Sequence, residues 1–470
     1  MADPFGFLVY QREEATPRPV KESLRDYRET YGMLPSDRLV HQAERCMDCG
    51  IPFCEVHGCP AGNLIPEWIS MVTFGKWKMA LDLLHSTDNF PEFTCRLCAA
   101  PCEAACVLSI YFSPVTVKQI ELQIAERGWR EGWIVPEPAP FRSGKKIAVV
   151  GSGPAGLAAA QQLVRSGHGV AVFDRESRVG GILRYGIPDF ALEKPVLDRR
   201  IDQLIGEGVT FKTGIDVGAD LSIHYLRRTF DVIVLTTGSR KPRDVIVPGR
   251  SLGGVHFAMD FLIQQNRRVA GKYIPKDQVI SGKGARVAVI GGGEAGAYCI
   301  AACRRDGAKD IVQIELEPEQ KIVDRAVPRW PDLPGGRHAP DPLSEARTRL
   351  FCAGVEKFVG NEGNVSGIVI KTAEDRSAEL RTETVAAELV ILALGFMHAE
   401  QCPLARMLSL ETDEEGNLMV DGRFMTSEEG VFAAEDCTLD GSSVVQAISR
   451  GRLVAEAVNR YLSQKTDSLQ

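Results

Sequence analysis

Long apolar runs are missing from this 470-residue chain. No stretch approaches the roughly 18 residues that a membrane-spanning helix needs. An excess of positive charge is missing too: 55 lysines and arginines stand against 62 aspartates and glutamates, a net charge of −7. With no basic stripe interleaved with aromatics, a nucleic-acid footprint is not expected. Met1 to Glu14 shows neither a charged segment leading into an apolar stretch nor a cleavage site, so the expected location is the cytoplasm. Histidines number only eight, and no Ser/His/Asp or Cys/His arrangement for nucleophilic catalysis stands out. His57, which lies between cysteines, reads more simply as a loop residue than as a ligand.

Cysteine is what the chain has in concentrated form. Eight of its thirteen cysteines fall in two runs, Cys46-x2-Cys49-x4-Cys54-x4-Cys59 and Cys95-x2-Cys98-x3-Cys102-x3-Cys106. In a cytoplasmic protein such an array reads as metal ligation rather than as a disulfide framework. Thiolates hold iron–sulfur clusters or zinc, and CxxC spacing alone does not separate the two. Two zinc sites would give structure without electron transfer, so the redox context of the rest of the chain weighs toward iron. Cys299, Cys303, Cys352, Cys402 and Cys437 have no ligand spacing and read as small apolar packing residues.

A chain of this length holds two or three domains. Residues 1 to about 140 carry the cysteines and short helical patterns. Ser36 is placed to cap a helix through Arg45, and Thr116 to Trp129 forms a second helix with Val117, Ile120 and Ile124 as its apolar stripe. Pro136 to Pro140 is a semi-rigid linker. Lys145 to Val150 then reads as a buried strand, followed by a glycine turn, a helix from Pro154 to Arg165 and the strand Val170 to Phe173. Val232 to Leu235 is a further strand. The unit repeats from Arg286 to Ile290, with a helix to about Arg305 and a strand from Ile311 to Ile314. Residues 318–342 read as a long loop, strands return at Leu389 to Leu394 and Val431 to Ala434, and a final helix runs from Ser443 to Leu462. Two copies of one βαβ unit suggest one nucleotide-binding domain inserted into another.

The first copy carries Gly151-x-Gly153-Pro154-Ala155-Gly156. Such glycines make the tight turn, admit a diphosphate and let helix and strand approach, while the helix N-terminus offers N–H groups to phosphate. Asp174, 23 residues beyond Gly151, stands where an acid bonds a ribose hydroxyl. The second copy carries Gly291-x-Gly293-x-x-Gly296, and its strand ends in Glu315. A carboxylate there accepts the 2′-hydroxyl of NADH and repels the 2′-phosphate of NADPH. With no basic residue following before Lys321, NADH is the expected cofactor, with NADPH as the alternative.

With these residues in place, the chain resembles the small (beta) subunit family of glutamate synthase over nearly its whole length. The discriminating stretches are Arg45–Cys54 (RCMDCGIPFC), Gly62–Trp68 (GNLIPEW), Ala100–Cys106 (APCEAAC) and Gly180–Pro188 (GGILRYGIP). The same architecture is found in the N-terminal half of dihydropyrimidine dehydrogenase and in the flavin subunit of bifurcating NADH-dependent ferredoxin–NADP oxidoreductases. The resemblance implies an α/β fold: a helical iron–sulfur domain (1–140), then two nested Rossmann-like domains for FAD (141–260 and 389–470) and NAD(P)H (261–388). It implies FAD at Gly151, Gly153, Pro154, Ala155, Gly156, Asp174, Gly181, Arg184, Gly238 and Asp436, and NAD(P)H at Gly291, Gly293, Gly296 and Glu315. Taken alone, Gly180-Gly181 reads as a turn. The resemblance further implies two [4Fe-4S] clusters, one held by Cys46, Cys49, Cys54 and Cys106. The other is held by Cys59, Cys98 and Cys102 with Glu121, which otherwise reads as a solvated glutamate on its helix.

The implied activity is hydride transfer from NADH or NADPH to FAD, then single electrons through the clusters to a large (alpha) subunit that makes glutamate from glutamine and 2-oxoglutarate. Cofactors carry this chemistry, so no residue is named as catalytic. The alternatives are a related subunit serving another iron–sulfur acceptor such as ferredoxin, and a non-catalytic scaffold stabilised by zinc. Three departures from the family pattern stand out. Cys95 replaces a glycine and could be a replacement ligand, Glu294-Ala295-Gly296 replaces Asp-Thr-Ala or Asp-Thr-Gly, and Glu435 replaces the glycine before Asp436.

Overall fold

The computed structural model describes residues 5–239, 241–316, 343, 346–351, 354–372, 381–397, 403–438 and 443–467. The N-terminal region is helical. Helices Ser36–Ala43, Ile65–Thr73, Trp77–Thr87, Pro91–Leu97 and Val117–Arg130 carry most of it. Prolines at the start of the Ile65 and Pro91 helices suit a first turn, where the missing N–H is not needed. Leu39, Trp68, Leu81, Leu84, Ile120 and Ile124 close one core, so the expected stripe of the Val117 helix faces inward. The Ser36 cap is not formed. Pro35 occupies that position with no side-chain bond, Ser36 is the first helical residue, and the helix stops at Ala43.

The remainder is built on two parallel sheets. Strands β1 (Lys146–Val150), β2 (Gly169–Asp174), β3 (Thr210–Thr213) and β4 (Val232–Leu235) belong to the first. Strands β5 (Val255–Phe257), β6 (Arg286–Ile290), β7 (Asp310–Glu315) and β8 (Thr348–Phe351) belong to the second. Strands β9 (Gly354–Asn361), β10 (Asn364–Thr372) and β11 (Arg381–Ala386) form a small antiparallel sheet. Strand β12 (Leu389–Leu392) returns to the second sheet and β13 (Val431–Ala433) to the first, giving orders β13-β4-β1-β2-β3 and β5-β12-β6-β7-β8.

This pairing corrects two boundaries drawn from sequence. Leu389 to Leu392 pairs with β6 and β5, and Val255 to Phe257 pairs with β12, so both strands leave the first unit for the second. The expected loop at 318–342 lies outside the described residues, as do Lys321, Cys352 and Cys402. Strand β1 is buried on both faces: Ile147 and Val149 enter one core and Ala148 and Val150 another. Two-sided burial explains why it reads as a continuous apolar run rather than an alternating one. Among the described residues no helix is long and apolar enough to cross a membrane.

The helical region is joined to the first sheet through the Pro91–Leu97 helix. Phe90, Phe93 and Leu97 share a core with Val149 and Leu157 of the first βαβ unit. Glu92 meets Arg200 of the Lys194–Glu207 helix in a two-pronged ion pair, Nε to Oε1 at 2.5 Å and Nη2 to Oε2 at 2.7 Å. Both side chains are essentially excluded from solvent, at 1% and 0% exposure. Gln203 accepts from Arg200 Nη1 at 2.5 Å, and the guanidinium lies over Phe90 and Trp129. Removing one partner of such a pair strands a buried charge. Glu92→Ala should therefore lower unfolding stability by about 3–5 kcal/mol, measured by chemical denaturation, with Glu92→Gln milder because its amide oxygen still accepts from Arg200.

Candidate cofactor sites

The first cysteine run folds back on itself. Asp48 adopts φ +51° between Cys46 and Cys49, and Cys54 opens a one-turn π-helix, Cys54–Gly58. The result brings Cys46, Cys49, Cys54 and Cys106 to one cavity, walled by Ile65, Ile69, Leu108 and Val115. Burial raises the Cys46 thiol to about 12. Cys54 is raised further, by burial and then by Cys106, Cys46 and Cys49, so these four sulfurs sense one another. Thiols held neutral by apolar burial become thiolates when a cationic centre replaces the proton. His57 lies in that π-helix rather than in a loop; it is exposed, stacks on Phe53 with ring centroids 5.2 Å apart, and is not among the residues lining the cavity.

Cys59, Cys98, Cys102 and Glu121 line a second cavity with Trp68, Thr94 and Lys118. Burial raises Cys59 to about 11 and Cys98 to about 12. Ala100, at φ +52°, turns its N–H to the Cys98 sulfur at 3.3 Å. Glu121 is only 7% exposed, so the solvated reading of this residue fails. Its Oε1 accepts from the Thr94 hydroxyl at 2.6 Å, and burial followed by the Asp88 carboxylate lifts it to about 8. Cys95 is buried beside Arg96 and is not among the residues that line this cavity.

Among the described residues, no three His, Cys, Asp or Glu side chains converge as a single-ion site. The thiol-rich lining of each cavity suits an iron–sulfur cluster.

At Gly151 and Gly156 the first glycine loop has no room for side chains. A Cβ on Gly151 (φ +109°) would stand 2.0 Å from the Thr236 carbonyl, and one on Gly156 would stand 2.1 Å from the Gly151 carbonyl. Gly153 leads into the Pro154–Arg165 helix, whose Ala155 carbonyl lies against Gly451 of the C-terminal helix Val444–Asp467. Asp174 ends β2 and fastens the loop: Oδ2 accepts from Ser152 N at 2.9 Å, and Oδ1 from Glu176 N at 2.8 Å. Gly181, at φ +50°, packs on Gly153, and Gly238 opens to free space after β4. Arg184 donates Nε to the Val179 carbonyl and pairs with Asp198, while its buried Nη1 has no partner among the described residues. Arg450 Nη1 is likewise buried and unbonded. Asp436 follows in the turn Glu435–Cys437 after β13. Two orphaned guanidinium N–H groups and a glycine cradle fit an anionic dinucleotide.

The second loop repeats the device. A Cβ on Gly291 (φ +100°) would stand 2.3 Å from the Ala393 carbonyl, whereas Gly293 (φ +70°) has open space before it. Gly296 approaches the Gly291 carbonyl, and Glu294 is exposed at the helix start. Glu315 ends β7 almost fully buried, and a Cβ on Gly292 would collide with its carboxylate. Oε1 accepts from Arg349 Nη2 at 2.7 Å and from Gln313 Nε2 at 2.8 Å. Arg349 was not found from sequence because it lies on β8, 34 residues downstream. The parallel neighbour of β7 was the place to look.

The two cysteine sets predict separable iron losses. A loaded chain should hold about eight iron atoms. Cys54→Ser and Cys98→Ser should each bring iron analysis to about half, whereas Cys299→Ser, in a helix core, should leave it unchanged.

The family model described as dihydropyrimidine dehydrogenase domain II, 4Fe-4S cluster matches residues 23–133, and that of pyridine nucleotide-disulphide oxidoreductase matches residues 145–459. The chain is 46% identical to the glutamate synthase [NADPH] small chain of Mycobacterium tuberculosis, covering 98% of this chain and 96% of that one. Identity to the Bacillus subtilis small chain is 38%, with coverage of 98% and 99%. It is 40% identical to glutamate synthase [NADH] of Schizosaccharomyces pombe, covering 98% of this chain but 23% of that longer protein. Among solved structures, FprA from Mycobacterium tuberculosis shares the fold at a TM-score of 0.54 and 16% identity, over 69% of this chain and 86% of that one. The chain belongs to the glutamate synthase small-chain family, NAD(P)H-dependent oxidoreductases that join a 4Fe-4S domain to an FAD- and pyridine-nucleotide-binding domain.

Proposed function

We propose that this chain is the NADH-oxidising electron-transfer subunit of a cytoplasmic glutamate synthase, carrying two [4Fe-4S] clusters and delivering electrons to a large subunit. When bound, FAD accepts hydride from the nicotinamide and the clusters pass single electrons onward. The observation that carries the reading is the Pro91–Leu97 helix, whose aromatic side is built into the flavin-type core while its C-cap, Cys98, lines the second thiol cavity. One short rigid element thus ties the flavin fold to the cysteine cage. Cys59, Cys98 and Cys102 with Glu121 would hold one cluster and Cys46, Cys49, Cys54 and Cys106 the other. Asp174 and the Gly151 loop would hold FAD, with Arg184 and Arg450 offering donors to its anionic part.

At the second loop Glu315 supports NADH, because a buried carboxylate opposes a 2′-phosphate. Arg349 restrains that carboxylate against Gly292 and offsets part of its charge. Purification from the host should bring down a larger chain with an amidotransferase domain, and NADH should bleach the visible absorption of the anaerobic protein. Absence of both would reject the reading. NADH should show the higher kcat/KM in dye reduction, and Glu315→Ser should narrow its advantage over NADPH by about tenfold. Equal or faster turnover of the unaltered chain with NADPH would remove the assignment from Glu315.

A further inference from the structure

Position 435 combines two unusual features. Its backbone lies in the left-handed region, at φ +75°, where a glutamate is strained and a glycine is not. Strain of this kind persists where surrounding structure imposes it, commonly at functional sites. Nor does the side chain escape to water, since Glu435 is 6% exposed. Its Oε1 lies 3.9 Å from the place a Cβ would occupy on Gly153, at the mouth of the first glycine loop. Thr438 bonds the Glu435 main-chain carbonyl through N–H and hydroxyl, both at 2.9 Å, but no described residue hydrogen-bonds the carboxyl. The charged groups acting on it are Asp436, on the same turn, and Arg450, on the C-terminal helix. Arg450 presents a buried, unbonded Nη1.

A largely enclosed carboxyl with no hydrogen bond from a described residue is free to bond a ligand at the loop it faces. The loop it faces is shaped for a diphosphate, and an ionised carboxylate there would repel one. We propose that Glu435 is a flavin-binding residue: as a neutral carboxyl it donates its O–H to the diphosphate of FAD, so that flavin retention requires a proton on this side chain. The proposal rests on FAD occupying the Gly151 loop. Burial and then Asp436 raise the Glu435 carboxyl to about 8, with Arg450 opposing, which keeps it mostly protonated at neutral pH. The sign follows. Below that value the proton is present and FAD is held; above it the carboxylate forms and FAD is repelled.

The test is a titration of flavin-stripped protein with FAD, followed by flavin fluorescence between roughly pH 6.5 and 9.5, with circular dichroism reporting that the fold persists. The Kd should be flat at the acid end and rise by about tenfold per pH unit beyond the transition. Glu435→Gln, which keeps a donor but cannot ionise, should give a flat profile. Glu435→Gly should also be flat and should raise Tm by relieving the backbone. A Glu435→Gln profile that follows the unaltered chain, or an unaltered chain with no alkaline weakening, would overturn the proposal. If the unaltered chain binds no FAD at any pH, the assignment of the Gly151 loop fails, and this proposal with it.

Discussion

The buried pair of Arg200 and Glu92 is the constraint from which the arrangement of the molecule follows. Neither charge tolerates removal from water alone. Each is repaid only when the helical region and the first sheet are docked in one relative position, with both guanidinium prongs on both carboxylate oxygens. Around it Asn89 bonds Gln161 at 2.5 Å and accepts from Arg452 at 2.7 Å, adding directional bonds at the same seam. Apolar contact between Phe90, Phe93 and the flavin-type core supplies attraction without direction. The polar bonds select the register. A domain that only touched its neighbour would let the spacing between redox centres drift.

The same helix runs from that pair to the second cysteine site, which explains the density of buried polar groups along it. Thr94 sits between two carboxylates, with its hydroxyl 2.6 Å from Asp88 Oδ2 and 2.6 Å from Glu121 Oε1. One hydroxyl proton cannot serve both acceptors, so a second proton is held within this group, consistent with the raised affinity of both buried acids for protons. Asp88 also accepts the Phe90 N–H at 2.9 Å, which fixes it to the start of the helix. Glu121 is therefore oriented by a chain of bonds anchored in the domain seam.

How much of this the sequence disclosed depended on the range of the interactions concerned. Strands β4 and β6 are read at their observed ends and β1 one residue early at its start, because two-sided burial writes an unbroken apolar run. The helix Pro154–Arg165 was delimited as well, its start marked by a proline that suits a first turn. Ser36 misled because a serine before an apolar stripe looks like a cap even when the preceding proline has already started the turn. Strand β12 was legible as a strand but not as a member of the second sheet, since Leu389 to Leu392 would fill either sheet equally well. Arg349, Asp88 and Thr94 were invisible for a common reason: each matters through a partner brought close only by the fold. Glu121 entered only through resemblance. It borders the apolar stripe of its helix, an awkward place for a carboxylate, but Trp68, Cys98 and Cys102 around it come from three separate elements that the sequence does not join.

The two glycine loops, alike in sequence, are chemically unlike in the folded chain. The second is open before Gly293, and its acid, Glu315, is already partnered by Arg349 and Gln313. A soluble cofactor that must enter and leave is served by such a site, because little has to be reorganised when it departs. The first loop is closed in by Gly181, by the turn at Glu435 and by the C-terminal helix touching Ala155 through Gly451. It also keeps guanidinium N–H groups of Arg184 and Arg450 buried without bonds. Those groups are costly while unbonded, and an anionic ligand that bonded them would add to the stability of the fold. Resident and visiting dinucleotides are thus distinguished less by their shared fingerprint than by what the surrounding elements leave unsatisfied.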